Sequence, residues 1–307
     1  MVATIRVLPL SCLLIIGACS SSTQPLSNRW TAGAPMPTPH GEAVAAVVNG
    51  ILYVAGGCCI PPLNGPEATF EAYDPVANTW TAKAPMPAAR YGAVAGVVNG
   101  ILYVVAGEVG DSTTVEAYDP ATNTWTTKSA TMHAWHGYAA GAVVNGILYV
   151  AGGLDHNNST VLASVEAYDP AANIWTTKAP MPTAMAYGAA SVVNGILYVA
   201  GGGVLEAYDP ATDTWSTKAP MPAARNNAVT GVVSGVVYVV GGYIGATATV
   251  LDTVEAYDPV SNTWTTKQGM PTARYGAVAG VVNGVLYVAG GLDSNGVALP
   301  TVEAYHP

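Results

Sequence analysis

The sequence predicts an all-β protein built from one four-stranded unit written six times, and three observations carry that reading. Glycine (34) and proline (22) together approach a fifth of the 307 residues, and Tyr (17) and Trp (7) far outnumber Phe (1). Such a mixture suits many short strands joined by tight turns and excludes a helical bundle. The third observation is a period near 45 residues, the length of a blade or solenoid turn. Asn-Gly followed by an apolar run with Tyr recurs at Asn49, Asn99, Asn145, Asn194, Ser234 and Asn283, and Glu-Ala-Tyr at Glu71, Glu116, Glu166, Glu206, Glu255 and Glu303. Charged residues are 9% of the chain and apolar ones 50%, which excludes disorder. Net charge is −9 with only ten Lys and Arg, which excludes a phosphate-tracking nucleic-acid groove.

In chain order, residues 1–18 read as a secretory signal: Arg6, an apolar run too short to span a bilayer, then Gly17-Ala18. Ile16-Gly17-Ala18-Cys19 resembles the bacterial lipobox, which implies a lipid on Cys19 and a tether over 19–27. Ser20, where Asp would favour inner-membrane retention in that pattern, makes outer-membrane attachment the expectation, with ordinary secretion as the alternative. Residues 28–307 hold the repeats. Each begins with an apolar strand that meets Asn-Gly, a pair that tolerates the positive φ of a type I′ hairpin. The second strand ends in Gly56-Gly57, Gly152-Gly153, Gly201-Gly202, Gly241-Gly242 or Gly290-Gly291, and in Ala106-Gly107 in the remaining unit. A third strand around Glu-Ala-Tyr is stopped by Asp-Pro, and a fourth carries Trp30, Trp80, Trp125, Trp175, Trp215 or Trp264.

This Gly-Gly, Tyr, Trp order resembles the kelch repeat over residues 28 to 307. The resemblance implies a six-bladed β-propeller of four-stranded blades around a channel, with the first strand of each blade innermost. The chain starts on a fourth-strand segment and stops on a third, so the last blade is expected to be closed by the N-terminal strand.

Function is sought where the repeats differ. From the last Gly of the pair to the Glu the gap is 14, 9, 13, 4, 13 and 12 residues, whereas Met to hairpin Asn or Ser is always 13. One face is therefore individual and the other monotonous. Eleven of the nineteen acids are the repeated Glu and Asp of the third strand, and these read as solvated scaffold. Counting nine back from each hairpin gives His40, Arg90, His136, Met185, Arg225 and Arg274, expected to ring one mouth of the channel with Glu42, Tyr91, Asn226, Asn227 and Tyr275 adjacent. Planar donors and stacking faces of this kind suit carboxylates, peptides or sugars, whereas the alternative is that these Arg bond loop carbonyls.

Cys58-Cys59 reads as a vicinal disulfide, two free thiols or an intermolecular bridge. His133 and His136 have metal-compatible spacing but lack convergent partners in sequence, so neither a metal nor another cofactor is expected. Among kelch enzymes, galactose-oxidase-like proteins need a copper set that no segment matches. Sialic-acid mutarotases fit better, with Glu42 and Arg90 or Arg274 as the weak acid and base. The sequence thus points to a monomeric, non-catalytic envelope module that recognises a protein, peptide or glycan and meets the membrane only through its lipid, with a mutarotase-type enzyme as the alternative.

Overall fold

The structure, a computed structural model, describes residues 27–58, 65–108, 113–155 and 160–307. The expected signal, Cys19 and Cys59 lie outside the described residues. Six four-stranded antiparallel sheets form a propeller. Blade one comprises Val44–Val48, Ile51–Ala55, Phe70–Asp74 and Thr79–Ala82, and blades two to four repeat that order. Blade five inserts a small hairpin, Tyr243–Ile244 with Thr249–Val250, between its second and third strands. Blade six is Val278–Val282, Val285–Ala289 and Val302–His306, completed by Arg29–Gly33 from the other end of the chain. Closure by the N-terminal strand is thus observed, with Trp30 opposite Tyr305 and Arg29 opposite His306. His306, standing where the other blades have Asp, bonds Thr31 Oγ1 through Nε2 at 3.0 Å across the same joint.

The repeated residues explain why blades form and stack. Asn49 and Gly50, with φ of 51° and 80°, take the left-handed conformations that a two-residue hairpin requires, and the other five hairpins match. In each blade the third-strand Tyr lies across from the fourth-strand Trp with ring centroids 5.0–5.1 Å apart, as in Tyr73–Trp80 and Tyr257–Trp264. Tyr73 donates its hydroxyl proton to Asn78 Oδ1, which also accepts the Ala34 amide from the neighbouring blade, while Trp80 Nε1 donates to the Ala34 carbonyl. Asn28, Trp30, Tyr305 and Gln268 make the same clamp at the terminal joint.

Two joints depart from the pattern. Between Trp125 and Met132 there is one residue more than between Trp80 and Met86, and the fourth strand of blade two, Thr124–Thr131, takes up a register shift opposite Thr114/Val115. There the Gly107 amide reaches the His136 carbonyl at 3.4 Å, against 2.9 Å for Gly57 to Arg90 and 2.7 Å for Gly153 to Met185, and Ala106 occupies a left-handed position that is Gly in four other blades. In blade four the second strand runs on through Gly201, so the turn glycines are Gly202-Gly203 (φ 60° and 95°) and not the expected Gly201-Gly202. Its second and third strands are joined by that two-residue turn alone.

The first strands line the axis. The channel wall is built of small residues, Ala43 to Ala45, Ala93 to Ala95, Ala139 to Gly141, Gly188 to Ala190, Ala228 to Thr230 and Ala277 to Ala279.

Candidate functional site

The residues nine before each hairpin do not present their charged ends at the mouth. His40, Arg90, His136, Arg225 and Arg274 are each 2% exposed or less, and their side chains run outward into their own blades to meet the third-strand Glu. Arg90 Nη2 lies 3.4 Å from Glu116, Arg225 Nη2 2.9 Å from Glu255 and Arg274 Nη2 2.9 Å from Glu303. His136 Nε2 lies 3.4 Å from Glu166, and His40 sits 3.2 Å from Glu67 and 3.7 Å from Glu71. The carbonyl just past the second strand takes a further donor from Arg90 (Ala106 O, 3.2 Å), His136 (Gly152 O, 2.6 Å), Arg225 (Gly241 O, 3.1 Å) and Arg274 (Gly290 O, 2.8 Å). The six third-strand Glu, expected as solvated scaffold, are correspondingly buried at 5% exposure or less. In five of the six blades the repeated carboxylate belongs to a buried pair of that blade's own. Burial pushes the Glu116 and Glu255 carboxyls up while Arg90 and Arg225 oppose it. His133, 3.1 Å from Glu166, joins the same pairing.

Two residues further along each repeat lies the true rim of the channel. Glu42, Gly92, Tyr138, Tyr187, Asn227 and Gly276 all have φ between 53° and 59°. Their backbones form one closed circuit: Glu42 N–H to Gly276 O, Gly276 to Asn227, Asn227 to Tyr187, Tyr187 to Tyr138, Tyr138 to Gly92 and Gly92 to Glu42, every bond 2.8–2.9 Å. Their side chains line the axial pocket. Glu42 is its single carboxylate, accepting 3.0 Å from Asn227 Nδ2, and burial pushes its pKa up to about 7. Burial and the Glu42 charge together raise the phenols of Tyr138, Tyr187 and Tyr275. Tyr91, Tyr138 and Tyr187 form a row with centroids 5.8 and 4.4 Å apart.

Beside the rim, over blades four to six, opens a cleft of about 520 Å³ lined by Tyr187, Asn226, Asn227, Tyr243, Tyr275 and Ser294 among others. Tyr243 and Tyr275 flank it with centroids 5.5 Å apart. Asn226 Oδ1 accepts from the Gly202 amide at 2.9 Å, which fixes its carboxamide. Of the residues expected at the mouth, Glu42, Tyr91, Asn226, Asn227 and Tyr275 are therefore brought together on this face. Tyr138, Tyr187 and Tyr243 were not anticipated. Counting seven back from the hairpins, in place of nine, marks the first two. On the same face Cys58 pairs its backbone with Gly41 and is disulfide-bonded, which removes the free-thiol alternative for that residue.

The kelch motif matches residues 39–87, 89–129, 137–182, 224–271 and 273–307. The chain belongs to the kelch-repeat family. Residues 183–223, which carry blade four, fall between the matched segments of this kelch propeller. Among solved structures it is similar to one described as "Structure of YjhT", at 17% sequence identity and a TM-score of 0.75, over 87% of this chain and 95% of that one. That likeness concerns the fold. No curated protein matches the sequence.

Proposed function

We propose that this kelch propeller is a non-catalytic binding module of the bacterial envelope that recognises a glycan on its variable-loop face. The observation that carries the reading is the cleft beside the axis, in which Tyr187, Tyr243 and Tyr275 offer faces for sugar rings while Asn226, Asn227 and Ser294 offer hydrogen bonds. A neutral polar ligand suits a lining with no charged side chain. The lipobox-like Ile16 to Cys19 supports attachment through a lipid on Cys19. A glycan array probed with the mature chain tests the first point, and no glycan retained would overturn it. The second is tested by fractionation: Cys19→Ala should release the protein from membranes, and unchanged association would count against the anchor.

A sugar mutarotase is the second reading, favoured by Glu42 alone. A carboxyl held near pH 7 on the axis is matched to giving and taking a proton at an anomeric oxygen. Its partner would be Asn227 or a rim tyrosine, because Arg90 and Arg274 are committed to Glu116 and Glu303. Anomer exchange of an array-selected sugar, followed by NMR with wild type and Glu42→Gln, separates the readings.

A further inference from the structure

Blade four lacks the pair that the other five blades possess. Met185 stands where they carry Arg or His, and its sulfur lies in the same slot, so close to Gly188 and Gly201 that a methyl on either would meet Sδ at 2.7–2.8 Å. On the third strand of the same blade, Glu206 is 1% exposed, and neither carboxylate oxygen has a hydrogen-bond partner among the described residues. The difference is specific to this blade. Glu166 receives the His133 and Ala134 amides besides His136, and Glu71 receives Thr38 Oγ1 besides facing His40. A polar group sealed without hydrogen-bond partners is unfavourable, and the fold keeps this one.

The slot also opens outward. Because blade four has only the Gly202-Gly203 turn between its second and third strands, a cleft of about 350 Å³ lies over Met185, bordered by Val161, Thr183, Gly202, Val204 and Asn226. Met185 lines that cleft at the position from which Arg reaches the third-strand Glu in blades two, five and six, and an unbranched thioether repacks readily. In blades two, five and six the same slot is filled by a guanidinium that spans the carbonyl just past the second strand and the Glu. Gly201 supplies the equivalent carbonyl here. We infer that blade four is a guanidinium-binding site: an arginine side chain of a partner peptide enters over Thr183 and Gly202, displaces Met185 and pairs with Glu206. The chain's net charge of −9 draws such a partner in.

Calorimetry on the propeller with acetyl-Gly-Arg-Gly-amide and its citrulline counterpart tests this, since citrulline keeps the shape and loses the charge. The arginine peptide should bind at least tenfold more tightly. Glu206→Gln should erase that preference while leaving any glycan binding at the tyrosine cleft intact. Met185→Arg, which supplies the guanidinium from within, should also erase it and raise Tm by several degrees. Equal binding of the two peptides, no binding of either at millimolar concentration, or a preference that survives Glu206→Gln overturns the inference; the last outcome would mark a diffuse surface attraction. If Met185→Arg does not fold, Glu206→Gln still decides.

Discussion

Two rings of residues, two positions apart in every repeat, take opposite parts. The outer one, from His40 to Arg274, turns into the blades and joins the second strand to the third by buried pairs. The inner one, from Glu42 to Gly276, stays on the axis and carries Glu, two Tyr and Asn beside two Gly. The first ring is nearly uniform because five of the six blades hold the same internal brace. The second is free to vary because its backbone bonds do not depend on the side chain. Under the proposed glycan reading, variation and not charge marks the surface that the ligand would meet.

The sharpest way to break this contrast is Arg274→Ala. It leaves Glu303 buried without its cation, so unfolding free energy should fall by about 3–5 kcal/mol, read by denaturant melts, while ligand affinity of the folded fraction stays unchanged. A loss of affinity at wild-type stability would show that the outer ring faces a ligand after all.

Glu42→Gln should act on pH dependence. Its folded pKa of about 7 lies above its unfolded value, so the native state holds a proton that the unfolded state releases. Its contribution to stability is thus greatest below about pH 4.5 and declines as pH rises to about 7. Because the side chain is partly exposed, the decline should be roughly 1–3 kcal/mol, and the glutamine variant should lack it. Identical pH profiles for the two proteins would place the carboxyl in water.

Tyr275→Ala should weaken binding of an array-selected glycan by about 1–2 kcal/mol with little change in Tm, measured by calorimetry. Smallest of all, replacing Lys128 and Lys178 by Ala should change binding by less than about 1 kcal/mol, because both stand on outer strands away from the cleft.

Much of this architecture is legible in the sequence. Asn-Gly, Glu-Ala-Tyr and Trp are local signals with fixed spacing, and they give six blades and the shared last blade without any tertiary information. The direction of a side chain at the mouth is not local. His40 and Glu42 are two apart, which would put them on one side of a continuous strand, but Glu42 sits in a left-handed turn, and the two side chains part. The third-strand Glu differ from the solvated scaffold expected of them for a related reason: repetition alone does not distinguish a solvated charge from one paired in the same way in five of six blades. The gap of four residues between Gly202 and Glu206 did mark blade four as different. What it could not show was that the short turn stands over a carboxylate without its cation.

The closed circuit of backbone bonds at the rim has an electrostatic corollary. All six N–H groups point the same way round, so the peptide dipoles chase one another head to tail and their fields cancel at the centre. Helix N-termini converging on a point would instead hold an anion there. A charge on this axis is left to the side chains alone. Burial, which pushes the Glu42 carboxyl up to about 7, is therefore opposed only by the Asn227 amide among the described residues, and a guest bringing its own hydrogen-bond donor would add to that single bond.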